Sequence, residues 1–208
     1  VEVPSIFFGV DEVGVGCLAG PVVAGAVVWQ NSYAWNIVGL NDSKKLTLKQ
    51  REKVFQQCKE LNIVFATGSA DVNEIEKLNI YHATRLAMKR AIDLVIPRRP
   101  TIPSIGLIDG KGYIEGLEIE QKWIVKGDEK EPAIMMASIV AKVLRDRYIK
   151  SLVDQFPEYE VYGWRTNIGY GTKKHLEAIK KYGLTPFHRK TFQPIKQWLE
   201  EGIINAAN

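Results

Sequence analysis

The stretch Ser5-Ile6-Phe7-Phe8-Gly9-Val10-Asp11-Glu12-Val13-Gly14-Val15-Gly16-Cys17-Leu18-Ala19-Gly20-Pro21-Val22 decides the class of fold. Ser5–Val10 is an apolar, β-rich run that ends on two carboxylates, Asp11 and Glu12. Two breaker segments follow, Gly14-Val15-Gly16 and Gly20-Pro21, and then a second β-rich run, Val22–Trp29. A glycine-rich turn that leads into a helix would suggest a dinucleotide site, but here a strand follows. The loop therefore joins two strands, and its glycines permit a tight turn or close backbone approach to a ligand.

Working outward, Thr47 caps a helix over Leu48–Glu60, and Asn62–Ser69 reads as a strand. Asp71 with Glu74 three residues on is a capping-box pattern opening a short helix to Lys77. Tyr81–Ile96 is a longer helix that stops before Pro97. Ser104–Ile108 and Gln121–Lys126 are strands, and Ala133–Phe156 is the strongest helix, its first half apolar nearly all round and so predicted to be buried. Lys173–Tyr182 and Pro194–Glu201 are terminal helices. This mixed order predicts an α/β layer fold around one central sheet. The expected division is a catalytic core over residues 1–160 and a helical extension over 161–208 that completes the substrate-binding face.

Composition narrows the class. The 208 residues are 46% hydrophobic and 25% charged, with a net charge of +4, which excludes disorder as the main state. The longest apolar stretches, such as Val22–Trp29, fall far short of the ~20 residues that span a bilayer. Cys17 and Cys58 lie apart, with neither metal-site nor disulfide spacing, and are expected as buried thiols in a reducing, cytoplasmic setting. Ile6–Val10 is too short for the core of a signal peptide and lacks a basic flank.

Carboxylates recur where apolar strands run out: Asp11 and Glu12, Asp109 after Ile108, and Asp128 after Lys126-Gly127. Each one alone reads as an ordinary strand-end turn. Four together would repel one another unless a cation intervenes, and oxygen-only donors favour magnesium or manganese over zinc. In open sheets ligands gather at strand ends. Basic residues cluster as well. Ser138, Lys142 and Arg145 share one face of the apolar helix. Lys173, Lys174, His175, His188, Arg189 and Lys190 interleave with Tyr162, Trp164, Tyr170 and Phe187, a mixture suited to phosphates and bases.

These segments, taken in order, resemble the ribonuclease HII family. Gly9-Val10-Asp11-Glu12-Val13-Gly14 with Leu18-Ala19-Gly20-Pro21-Val22-Val23 is similar to its first motif, and Asp42-Ser43-Lys44-Lys45-Leu46 to its second. Ile108-Asp109-Gly110, Lys126-Gly127-Asp128, Ala137-Ser138-Ile139-Val140-Ala141-Lys142-Val143 with Arg145-Asp146-Arg147, Gly169-Tyr170-Gly171-Thr172 and Pro186-Phe187-His188-Arg189 continue the match. The resemblance implies a ribonuclease H-like mixed central sheet flanked by helices, with a small helical C-terminal extension. It implies an endonuclease that hydrolyses the RNA strand of RNA–DNA hybrids and cleaves at ribonucleotides embedded in duplex DNA, leaving 5′-phosphate and 3′-hydroxyl ends through two Mg²⁺ or Mn²⁺ ions held by Asp11, Glu12, Asp109 and Asp128. It also implies substrate contacts at Gly14, Val15, Gly16, Ser43, Lys45, Ser138, Lys142, Arg145 and Tyr170, the last packing on the deoxyribose at an RNA-to-DNA junction. A monomer without membrane association is expected.

Four positions depart from the family pattern. Val15 stands where the family usually carries Arg, Ile168 where Lys is frequent, and Met135 and Met136 where Ala is usual. An Arg donates up to five hydrogen bonds and Val none. The alternative implied is therefore a hybrid-binding protein of the same fold with attenuated catalysis or weakened junction recognition.

Overall fold

A computed structural model describes residues 5–30, 36–97 and 102–205. Five strands form one mixed sheet in the order β3-β2-β1-β4-β5: β1 Ile6–Val13, β2 Val22–Trp29, β3 Phe65–Ala70, β4 Ser104–Asp109 and β5 Glu120–Ile124. β2 runs antiparallel to β1, whereas β4 is parallel to both β1 and β5. Parallel neighbours need a crossover rather than a hairpin; helices lie in the connection from β1 to β4, whereas residues 110–119 link β4 to β5 without a helix. Six α-helices are described: α1 Leu48–Glu60, α2 Val72–Val95, α3 Pro132–Gln155, α4 Trp164–Asn167, α5 Lys173–Tyr182 and α6 Ile195–Glu200. The expected α/β class with one mixed sheet is the one observed.

The local end signals act as the sequence predicts. Thr47 Oγ1 accepts from the Gln50 N–H while Gln50 Oε1 accepts from the Thr47 N–H, closing a capping box. Asp71 and Glu74 reciprocate in the same way. The two helices expected at Asp71–Lys77 and Tyr81–Ile96 run together as α2, kinked at Asn79, where φ is +61°. The Asn79 side chain accepts from the N–H groups of Tyr81 and His82 and so caps the second half.

The chain divides into two compact units. One comprises Val1–Val13, Val23–Ser69 and Thr84–Val143; the other comprises Gly14–Val22, Ala70–Ala83 and Leu144–Asn208. In the first, α3 lies against the sheet at very short range. A Cβ added at Gly9 would meet the Ala133 backbone at 2.1 Å, and one at Gly25 would meet the Ala137 carbonyl at 2.4 Å. Ala133, Ala137 and Ala141 recur at i, i+4 and i+8, so a stripe of small side chains faces two side-chain-free positions on β1 and β2. This close approach accounts for the apolar first half of α3, in which Ala133, Ile134, Met136, Ala137, Ile139 and Val140 are all buried.

The second unit has its own core, built on Leu18, Ile149, Leu152, Trp164, Ile179 and Ile195. Trp198 and Leu199 pack half-buried against it, as expected of a terminal helix. A 3₁₀ helix over Pro157–Tyr162 and the short α4 carry aromatic residues of this core. Neither was predicted, because elements this short are held by tertiary packing rather than by their own periodicity.

Candidate active site

Register places the carboxylates. Val10 of β1 pairs with Ile108 of parallel β4, so Asp11 and Asp109 are the next residues on two adjacent strands, at their carboxyl ends. Asp11 is 4% exposed and Asp128 3%. Glu12 and Asp109 are half-buried. Asp128 does not follow a strand directly. β5 ends at Ile124, Lys126 adopts φ +56°, and Asp128 sits in a 3₁₀ turn over Gly127–Glu129. The Gly127 N–H donates to Asp109 Oδ1 at 2.6 Å, which ties the third and fourth acids together.

The acids raise one another. Burial, then the charges of Glu12 and Asp109, push Asp11 well above the usual carboxylate range. Burial and Asp109 raise Glu12 to about 7. Burial also raises Asp109, although the Gly127 N–H works against it. Three hydrogen bonds and one ion pair partly offset this cost. The Glu12 N–H donates to Asp11 Oδ1 at 2.7 Å. Ser138 hydrogen-bonds Asp11 and lies 2.8 Å, hydroxyl to hydroxyl, from Ser43. The Lys44 ammonium donates to Asp128 Oδ2 at 2.7 Å.

Lys44, not the expected Lys45, is the lysine that reaches the carboxylates. Lys45 approaches Asp42 at 4.0 Å and no acid of the cluster. The Asp42–Lys45 turn, in which Asp42 accepts from the Lys44 and Lys45 N–H groups, decides which lysine faces the carboxylates. Arg85, which also favours ionised Glu12, was missed as well. No sequence signal separates either from an ordinary surface cation. Lys142 is half-buried on α3.

The second unit holds the remaining candidates. Gly14 has φ +88°, and a Cβ there would meet the Arg145 guanidinium at 2.2 Å. Val15 is 36% exposed and Gly16 is open. Arg145 was expected to meet substrate but is fully buried. It donates to the carbonyls of Pro21, Ala19 and Ile168 at 2.9–3.0 Å, so it braces loops instead. Arg189 does likewise, donating to the Gly20 and Val15 carbonyls at 2.9 Å. His175 and His188 are also buried. The expected basic surface therefore loses four members, Arg145, His175, His188 and Arg189, because tertiary packing leaves them facing protein atoms. Tyr162 and Trp164 are core residues too, leaving Tyr170, 41% exposed, as an accessible ring. Ile168 buries its side chain in the core of this unit.

The donor chemistry fits divalent hard cations: buried, mutually repelling, oxygen-only ligands. Among the described residues, no three His, Cys, Asp or Glu side chains are already arranged to hold an ion. Sites of this kind draw further ligands from substrate phosphate and water.

A mixed sheet with coupled carboxylates at the ends of adjacent parallel strands defines a metal-dependent phosphodiester hydrolase. The ribonuclease HII family model matches residues 8–195. The chain is 48% identical over 195 residues to a ribonuclease HII of Pelagibacter ubique, covering 94% of this chain and 100% of that one. The chain belongs to the ribonuclease HII family, metal-dependent endoribonucleases acting on RNA–DNA hybrids. Its structure is similar to ribonuclease H2 from Pyrococcus horikoshii OT3, with TM-score 0.71, 28% identity, and coverage of 95% of this chain and 98% of that one. Bst-RNase HIII in complex with Mn²⁺ shares the fold at TM-score 0.69 and 18% identity, covering 94% of this chain and 70% of that one. Among the described residues no helix is long and apolar enough to cross a membrane.

Proposed function

We propose that the chain cleaves the RNA strand of hybrids and also cuts at single ribonucleotides embedded in duplex DNA, using two Mg²⁺ or Mn²⁺ ions held by Asp11, Glu12, Asp109 and Asp128. The observation that carries this reading is the gathering of four carboxylates: Asp11 and Asp109 at corresponding ends of adjacent parallel strands, Glu12 next to Asp11, and Asp128 next to the Gly127 N–H that donates to Asp109. Such a set costs stability unless cations offset it. Ions held by these acids would supply activation of a water and charge stabilisation at the leaving 3′ oxygen, the chemistry that leaves a 5′-phosphate.

The protein's own groups prepare that chemistry. Ser138 and the Glu12 N–H orient Asp11, the Gly127 N–H orients Asp109, and the Lys44 ammonium donates to Asp128 Oδ2. Choice of RNA requires reading a 2′-hydroxyl. We assign this to the backbone of Gly14, Val15 and Gly16, whose carbonyl side is occupied by Arg189 at Val15. Ser43, Lys45, Ser138 and Lys142 are assigned to the substrate backbone. Tyr170 is assigned to the sugar at the RNA-to-DNA junction, with residues 1–160 as catalytic core and 161–208 as an extension serving substrate. The enzyme would act as a cytoplasmic monomer in removing ribonucleotides from DNA, a setting that two free, buried cysteines suit.

The deciding experiment is cleavage of a continuous hybrid and of a duplex with one ribonucleotide, each with Mg²⁺ or Mn²⁺. Cleavage of both at the ribonucleotide phosphates is expected. Metal-independent cleavage, or none on the embedded ribonucleotide, would overturn the reading.

A further inference from the structure

Two buried histidines of the second unit are used by nothing in the proposed chemistry, yet their hydrogen bonds run in one direction. The Thr185 N–H donates to His188 Nδ1 at 2.8 Å, so that nitrogen carries no proton and the His188 proton sits on Nε2. His188 Nε2 lies 3.1 Å from His175 Nε2. The latter also accepts from Trp164 Nε1–H at 3.0 Å, so it must be an acceptor. The His175 proton is therefore on Nδ1, which donates to the Tyr170 carbonyl at 2.8 Å. The tautomers are opposite, each set by the partner of the other nitrogen.

The end of this chain is a strained place. Ile168 and Gly169, directly before Tyr170, both have positive φ, +51° and +85°. A β-branched residue there is rare and persists only where its surroundings hold it. Arg145 grips the Ile168 carbonyl at 3.0 Å, the Tyr170 N–H donates to the Asn167 carbonyl at 2.9 Å, and His175 grips the Tyr170 carbonyl. The Tyr162 and Trp164 rings lie against both imidazoles, 5.0–6.0 Å between centroids. Burial lowers the pKa of both histidines, which keeps the neutral relay intact.

We propose that His175 and His188 are positioning residues whose one-way hydrogen-bond relay fixes the backbone of Tyr170 and thereby sets recognition of the RNA-to-DNA junction. This rests on the reading of Tyr170 as the residue that meets the junction sugar.

The test compares kcat/KM on a single-ribonucleotide duplex with kcat/KM on a continuous hybrid, as a ratio, for wild type, Tyr170→Ala, His175→Asn, His175→Gln and the Tyr170→Ala/His175→Gln double variant. Asn keeps an amide donor near the Nδ1 position; Gln moves it to the ε position and loses the Tyr170 bond. Tyr170→Ala and His175→Gln should each lower the ratio about tenfold or more, since small misplacements cost that much. His175→Asn should stay within about threefold of wild type, and the double variant should fall no further than Tyr170→Ala. If Tyr170→Ala loses the ratio and His175→Gln keeps it, or Asn and Gln lose it equally, the relay proposal fails while the Tyr170 reading stands. If Tyr170→Ala keeps the ratio, the Tyr170 reading fails and takes the proposal with it. Should the variants not fold, ¹⁵N-histidine spectra of the wild type still decide: His175 Nδ1–H with His188 Nε2–H is expected, and any other pair of tautomers overturns the relay.

Discussion

The Lys44 ammonium lies 2.7 Å from Asp128 Oδ2, an exposed cation on one of the most buried carboxylates of the chain. It is a local counter-charge for an acid in a cluster otherwise short of positive charge. Lys44→Met should lower the melting temperature of metal-free protein by the equivalent of about 1 kcal/mol, a small effect because the ammonium end is well solvated. The deficit should shrink in saturating Mg²⁺. A deficit unchanged by metal, followed by thermal melts, would separate Lys44 from the metal-binding acids.

Asp11→Asn should abolish Mg²⁺-dependent cleavage and leave the fold in place. The amide oxygen still accepts from the Glu12 N–H, while the charge that burial, Glu12 and Asp109 oppose is gone. Metal-free Asp11→Asn should therefore melt at or above the wild-type temperature. Residual Mg²⁺-dependent activity near wild type would sink the assignment of Asp11.

Glu12 gives a pH signature. Its folded pKa is raised from 4.5 to about 7, so between those values the folded state holds a proton that the unfolded state has released. Its contribution to stability therefore declines as pH rises from 4.5 to 7, by on the order of 2 kcal/mol, allowing for its partial exposure. Urea melts of wild type and Glu12→Gln in a chelator should diverge across that window, and Mg²⁺ should bring them together.

His188 acts in the opposite sense. Burial and the neighbouring His175 lower its pKa from 6.5 to about 3. Below pH 6.5 the unfolded chain gains a proton that the folded chain refuses, so stability present above pH 6.5 is lost as pH falls. By pH 5 the loss from this group is about 2 kcal/mol. In His188→Asn that part of the acid slope should vanish, measured as the change in unfolding free energy between pH 7.5 and 5.0.

Val15→Arg tests the departure from the family loop. The Val15 carbonyl is held by Arg189 and its side chain is exposed, so an arginine there should leave the backbone in place. Tighter binding of single-ribonucleotide duplexes is expected, with the salt slope steeper by about one phosphate contact. No gain in affinity or cleavage would mean that the backbone alone performs the reading.

Much was legible from sequence alone, and for one reason: the signals are local. Apolar runs mark β1, β2 and β4, the side chains of Thr47 with Gln50 and Asp71 with Glu74 mark helix starts, and the ends of β1 and β4 carry Asp11, Glu12 and Asp109, with Asp128 in a turn beyond β5. Cys17 and Cys58 are free and buried, as their isolation suggests. What sequence could not decide is which polar side chains face water. Lys44 and Lys45 are adjacent and chemically alike, but the turn at Asp42 sends Lys44 to Asp128. Arg145, His175, His188 and Arg189 read as a basic surface, yet tertiary packing buries all four. There their donors meet carbonyls and ring nitrogens from segments far along the chain. Desolvation and long-range pairing depend on which segments the folded chain brings together, and no spacing along the sequence encodes that.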